Sequence, residues 1–386
     1  MSRHAAAPSS DRYDIAVIGA GPAGSSAASA LAATGWRVAL IERKVLPHHK
    51  VCGEFLSPEA QTTLRALGLH QELAALAPRV LTGATLTSRR GAVLTMKLPG
   101  AAWGLSRYAM DAALADAAVA RGAVLLAETT VTDVARDGHG VTLTLRDRLG
   151  TRPLCARAAI MAGGRMGTAK LPPAAPTQPR AQLFVGIKSH FAGLTMPDRV
   201  ELFLFEGGYV GINPVETGAA NVCLLVRYAE FARADRTVEG MFAAIARQNS
   251  SFARRIKGAQ LLRETRCTVA AVDTNRPAAP WVEMACLGDT ATMIPPLSGD
   301  GMAMALRSAE ICVPLADAYL RGACTMTAWR DRYSERWHAE FDSRLRIARW
   351  LQKLLGHTPI ADALIPLGRV APWLADSVVR STRGTV

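Results

Sequence analysis

The sequence predicts an α/β fold: a mostly parallel sheet built from separated segments, an inserted antiparallel sheet and a helical C-terminal tail. Three observations predict it. A short apolar strand, a glycine turn, a small-residue helix and a second apolar strand open the chain as a βαβ unit over 13–41. Four strand-like runs follow one another between 182 and 227, without a helical period. A buried-strand run at 282–287 returns to the first texture, ends in Gly288-Asp289 and leads to a helical run over 299–319.

In chain order, residues 1–11 are small and polar and read as disordered. The run 13–18 reads as a buried strand, 19–24 as a turn, 22–33 as a helix stopped by Gly35, and 37–41 as the second strand. Residues 61–67 and 110–120 read as amphipathic helices, and 84–98 as paired strands turning at Arg89-Arg90-Gly91. Runs 124–134 and 141–145 read as strands with Asp137-Gly138 turning between them, and 158–162 as a short buried strand ending in Gly163-Gly164. Leu171-Pro172-Pro173-Ala174-Ala175-Pro176 reads as a linker. Beyond it, 182–191, 199–205, 209–214 and 220–227 read as an antiparallel sheet. The expected organisation places 12–80, 101–170 and 279–340 in the parallel-sheet domain, 81–100 and 171–278 in the second domain, and 341–386 in a helical tail interrupted by Pro359, Pro366 and Pro372.

A chain of 386 residues can bury a substantial core. No stretch of eighteen apolar residues occurs, and the first residues lack an apolar targeting segment. The seven cysteines are scattered and form no C-x-x-C pair, as expected of reduced thiols in a cytoplasmic protein without a zinc site. The net charge is +13, but the basic residues are spread along the chain with no dense block, so no nucleic-acid partner is expected.

Three segments carry chemistry. In Gly19-Ala20-Gly21-Pro22-Ala23-Gly24, Gly19 permits the tight turn, Gly21 lets backbone approach a pyrophosphate, and Gly24 lets helix pack on strand. The helix N-terminus, opened by Pro22, then offers free N–H groups from Ala23 onward to phosphate. Glu42 closes the second strand, where an acid accepts the ribose hydroxyls of an adenosine. This constellation predicts a dinucleotide site. The second segment is Cys286-Leu287-Gly288-Asp289, followed by Pro295-Pro296-Leu297-Ser298-Gly299-Asp300-Gly301-Met302. An Asp at a strand end can accept hydrogen bonds from a sugar-like chain, and a glycine turn opening a helix can face developing negative charge. On residues alone it is equally a strand–turn–helix connection. The third is Lys50-Val51-Cys52-Gly53-Glu54-Phe55-Leu56-Ser57-Pro58. On residues alone, Cys52 packs as a small hydrophobe and Glu54 caps the helix that follows. His48 and His49 read as solvent-facing loop residues with no metal partner at ligand spacing.

Together, the first two motifs resemble the FAD-dependent oxidoreductases of the group that includes aromatic hydroxylases, geranylgeranyl reductases and flavin-dependent halogenases, over residues 13–310. The resemblance implies a Rossmann-like FAD-binding domain with an inserted antiparallel-sheet substrate domain. It implies that Glu42 and Arg43 hold the adenosine ribose and that Val131 lies beside the adenine. Arg107, in Ser106-Arg107-Tyr108-Ala109-Met110-Asp111, falls near the ribityl and pyrophosphate region. Gly288 and Asp289 fall at the ribityl chain, and Pro296, Gly299, Asp300, Gly301 and Met302 around the flavin pyrimidine. Geranylgeranyl reductases carry a similar Cys-Gly segment, which places Cys52, Gly53 and Glu54 by the isoalloxazine and makes Cys52 a candidate proton donor.

Two departures narrow the expectation. Aromatic hydroxylases carry Asp-Gly after the strand that here ends Met161-Ala162-Gly163-Gly164-Arg165. Gly163 in place of that Asp implies electrons from a separate reductase or electron donor rather than from docked NAD(P)H. Halogenases carry Trp-x-Trp-x-Ile-Pro, and Gly207-Gly208-Tyr209-Val210-Gly211-Ile212-Asn213-Pro214 has neither Trp, which disfavours halogenation. Tyr209 and Asn213 are either substrate-cavity residues on that resemblance or ordinary sheet packing. The expected function is an FAD-dependent oxidoreductase. Oxygenation of an apolar or aromatic small molecule comes first, and reduction of a C=C bond in a prenyl or other alkene second. In the tail, Arg344, Arg346, Arg349 and Lys353 alternate with Leu345, Ile347, Trp350 and Leu351. Such a helix docks on its own domain through its apolar face, the alternative being peripheral membrane contact.

Overall fold

The computed structural model describes residues 12–138, 140–165, 176, 178–356 and 358–370. The readings of 1–11, 171–175 and Pro372 fall outside them. β1 (Tyr13–Ile18), α1 (Pro22–Ala33) and β2 (Val38–Ile41) form the expected βαβ unit. β3 (Phe55–Leu56), α2 (Pro58–Ala66), α3 (His70–Ala74), β4 (Arg79–Thr87), β5 (Val93–Gly104) and α4 (Arg107–Ala120) follow. Next come β6 (Val124–Leu126), β7 (Thr130–Asp137), β8 (Gly140–Asp147) and β9 (Gly150–Met161). The run expected as one strand over 124–134 is therefore two. Glu128 has φ 52 and turns the chain, so β6 pairs with β2 and β7 with β8. The short strand expected at 158–162 is the end of β9, whose first half pairs antiparallel with β8 and whose second half pairs in parallel with β1.

The second sheet adds β10 (Phe184–Ala192), β11 (Arg199–Phe205), β12 (Gly208–Pro214) and β13 (Ala220–Arg227). Then come α5 (Tyr228–Arg233), α6 (Val238–Gln248), α7 (Ser250–Arg255) and β14 (Gln260–Val272), none of them anticipated above. The described strands run β14–β10–β13–β12–β11–β4–β5–β3, antiparallel except where β4 meets β11. The strands alternate by face. Val185, Ile187, Val222, Leu224, Val210 and Ile212 point to a core closed by α6 and α7. The opposite face carries Gly186, Lys188 and His190 of β10 beside Leu225, Cys223 and Asn221 of β13.

The chain returns to the first sheet with β15 (Trp281–Val282) and β16 (Met284–Cys286), split by Glu283 at φ 59 where one strand was expected. α8 (Gly301–Leu320), α9 (Met326–Leu355) and α10 (Thr358–Val370) complete the described chain. α9 crosses residue 341, expected as the start of a separate tail. It buries Trp329, Tyr333, Trp337, Phe341 and Leu345, and Tyr333 Oη donates to Cys286 O at 2.9 Å. Arg344, read as one of the tail's alternating basic residues, is buried, with Nη2 3.2 Å from Glu59 Oε1. The helix thus docks on its own protein, and Trp350 alone of its large apolar residues is strongly exposed. Among the described residues no helix is long and apolar enough to cross a membrane. Phe341→Ala should cost about 3–5 kcal/mol through the cavity it leaves. Urea unfolding checks this, and a loss under 1 kcal/mol would mean that α9 is not held by this face.

Candidate active site

Two glycine-bearing turns and one face of the second sheet enclose a cavity of about 1080 Å³. At one end lies the turn between β1 and α1. Gly19 has φ +106, and a Cβ there would sit 2.4 Å from Ala162 O. A Cβ on Gly24 would sit 1.9 Å from Gly19 O, so the helix approaches the turn only because both are glycines. No side chain caps α1, whose first residues Pro22 and Ala23 line the cavity with Gly21. Its positive end therefore faces open space that suits a phosphate. Glu42 is buried at the end of β2; its Oε2 accepts from Ala20 N and its Oε1 from Lys44 N, both at 3.0 Å. Arg43 and Lys44 line the cavity beside it.

Arg107 opens α4 and points at the glycine turn, its Nη2 lying 3.6 Å from where a Gly21 Cβ would be. Asp111, one helical turn on, receives Arg107 Nε at 2.7 Å and Nη2 at 2.8 Å, and Lys50 Nζ at 2.8 Å. Burial would raise the Asp111 carboxyl, but Arg107 and Lys50 outweigh it and hold the group below the usual carboxylate range. Against the same turn, with a Cβ on Gly288 only 3.6 Å from Ala23 Cβ, the wall continues through Gly288 (φ +56), Asp289, Pro296, Gly299 (φ +73), Gly301 and Met302. Phe55 Cδ1 would lie 3.1 Å from a Cβ on Gly299.

The cavity thus collects Gly19, Gly21, Pro22, Ala23, Glu42, Arg43, Cys52, Gly53, Arg107, Tyr209, Gly288, Asp289, Pro296, Gly299, Gly301 and Met302 from the sequence reading. Gly24 and Asp300 stand behind the turns rather than in the wall. Val131 is in the core of the first sheet. Asn213 does not line the cavity; its Nδ2 donates to Glu54 O at 3.3 Å. His48 and His49, read as solvent-facing, both line it.

Beneath the Cys52-Gly53-Glu54 segment lies a polar cluster that sequence reasoning missed. Glu54 is fully buried at φ 52. Its Oε1 meets Lys188 Nζ at 2.9 Å and Arg107 N at 3.0 Å, and its Oε2 meets His190 Nε2 at 2.6 Å. Burial pushes this carboxyl up, but hydrogen bonding from His190 and the charge of Lys188 bring it below its ordinary value. Asn221 Nδ2 donates to Cys52 O at 3.2 Å and Gly53 O at 2.8 Å. Lys188 also reaches His49 Nδ1 at 3.1 Å. Donor atoms of His49, Glu54 and His190 lie within 4.8 Å of one another, but the Lys188 ammonium supplies the positive charge among them. The Cys52 thiol is pushed up by burial despite the lowering influence of Arg107, so it stays protonated at neutral pH.

The comparisons agree with this geometry. The FAD binding domain family matches residues 12–339. Digeranylgeranylglycerophospholipid reductase 2 of Methanopyrus kandleri is 27% identical over 362 residues, covering 89% of this chain and 86% of that protein. Menaquinone reductase of Mycolicibacterium smegmatis is 26% identical over 358 residues, covering 87% and 84%. The flavin-dependent brominase Bmp2 superposes with a TM-score of 0.81 at 19% identity, covering 96% of this chain and 93% of that one, and shares the fold. The chain belongs to the FAD binding domain family and is an FAD-dependent oxidoreductase.

Glu54 is the buried charge on which the cluster turns. Because its folded pKa lies below the unfolded one, its contribution is complete above the unfolded value and disappears as pH falls through the folded value. Glu54→Gln, which leaves Lys188 unpaired, should cost about 3–5 kcal/mol at pH 7. The deficit should shrink in acid. Denaturant titrations at pH 7 and pH 4 check this, and equal stability at pH 7 would refute it.

Proposed function

We propose that this family member reduces a carbon–carbon double bond in an apolar substrate held under the second sheet. Bound FAD supplies two-electron transfer to carbon, and the reaction also needs a proton. The observation that carries the reading is the Cys52 thiol, which lines the cavity and keeps its proton on Sγ at neutral pH. Val51, Leu225, Val269, Met293 and Ile294 give the same cavity an apolar wall. Relatives that align along most of this chain are named as digeranylgeranylglycerophospholipid reductases and a menaquinone reductase.

In this reading Arg107 and the first turn of α1 bind the pyrophosphate, Glu42 and Arg43 the adenosine ribose, and Asp289 the ribityl chain. Gly299, Gly301 and Met302, in the same cavity wall, would face the flavin ring. Gly163, in the cavity wall where hydroxylases carry Asp, supports delivery of electrons by a separate donor. Exposed Trp350, Ile360, Leu364 and Leu367 near the end of the described chain support peripheral contact with the lipid phase that such substrates occupy.

Oxygenation, the first expectation from sequence, keeps support from the polar wall of Tyr209, Glu264 and Arg266. Reduction is placed ahead of it on the reductase relatives and the protonated thiol. The test mixes anaerobically reduced holoprotein with prenyl alkenes, with and without a conjugated carbonyl. Saturated product should form without oxygen. Cys52→Ala should slow its formation by about 100-fold at unchanged FAD content. Product that forms only with oxygen, and carries an added oxygen atom, would sink the proposal.

A further inference from the structure

His49 lies between the cavity and the buried cluster. Its ring stacks on Tyr108 with centroids 4.8 Å apart and meets His190 edge-on at 5.3 Å. Its Nδ1 lies 3.1 Å from Lys188 Nζ. A lysine ammonium has only donors, so Nδ1 must accept and the ring proton must sit on Nε2. Lys188 is itself held by the Glu54 carboxylate, which fixes the ammonium and hence the tautomer. Burial first, then the charges of Lys188 and His190, push His49 down to about 4 against the opposing pull of Glu54 and Glu264, so the ring is neutral at pH 7. Among the described residues nothing is hydrogen-bonded to Nε2, and His49 lines the cavity. A neutral imidazole held in one tautomer polarises a carbonyl without giving up its proton.

We propose that His49 Nε2–H is the hydrogen-bond donor for a substrate carbonyl oxygen, so the substrate is an enone- or quinone-like molecule rather than a bare hydrocarbon chain. The inference rests on reading this cavity as the substrate chamber. The second sheet supports substrate rather than flavin as the acceptor. Lys188 and His190, which hold His49, project from the same sheet face as Cys223 and Leu225 in the chamber wall. A site built to donate to an oxygen binds poorly an analogue that lacks one.

The experiment compares 1-tetralone with tetralin, which differ by a single carbonyl, by titrating the visible flavin spectrum of the holoprotein. The parent should prefer 1-tetralone. His49→Phe keeps the stack on Tyr108 and should weaken 1-tetralone by about tenfold while leaving tetralin unchanged. His49→Gln, which restores an N–H near the same place, should recover much of the preference. Equal weakening of both probes would make His49 a packing residue and overturn the inference. So would a shift of the flavin spectrum or midpoint potential in His49→Phe without any probe, since the acceptor would then be the flavin. If neither probe binds the parent, the chamber reading itself fails and the inference falls with it. Nitrogen-15 spectra of histidine-labelled parent protein at pH 7 provide a check independent of any variant's folding, and a proton on Nδ1 of His49 would also overturn the inference.

Discussion

One buried carboxylate ties the two halves of this protein together. Glu54 comes from a segment that follows the first βαβ unit, yet its partners are Lys188 and His190 of the second sheet and the first N–H of α4. Its backbone takes a left-handed conformation that costs a non-glycine residue about 1 kcal/mol or more. The contacts around it hold that conformation in place, with Asn221 and Asn213 binding the carbonyls of 52–54 from the same sheet face. Without the carboxylate, Lys188 would be an uncompensated buried charge. Cys52 and Gly53, the residues expected beside the flavin ring, are placed by this arrangement.

The second constraint is steric. At Gly19 and Gly24 backbone meets backbone at distances that exclude any Cβ. This contact lets the N-terminus of α1 open into the cavity with no side chain in the way. Glu42 stabilises the turn from behind through Ala20 N while remaining in the cavity wall.

The cofactor half was legible because its motifs are local. Gly19 to Gly24, with Glu42 after them, form one supersecondary unit, and Gly288-Asp289 ends a strand that the apolar pattern shows plainly. Arg107 was found by its motif. Its partner Asp111 lies at i+4 on the same helix and could have been found by that spacing. Lys188 and His190 could not. In sequence they are two polar residues on one face of a strand, and only the tertiary fold brings Glu54 to them, from 136 residues away in the case of His190. His49 was misread for the same reason, since a loop histidine shows its surroundings only after folding. The split of 124–134 at Glu128 escaped notice because a left-handed glutamate leaves no mark in an apolar pattern.

α9 is thirty residues long and touches both sheets' territory. Near its start, Trp329 and Tyr333 are locked under the first sheet. At its end Leu355 joins Leu86 and Leu204 of the second, and Ala361 and Ile365 of α10 lie in the same cluster. A single rigid rod pinned at both ends works as a cross-brace. Together with the Glu54 clamp it opposes a swinging apart of the two halves. Any opening between the halves would have to break the Glu54 pairs and the cluster around Leu355 together.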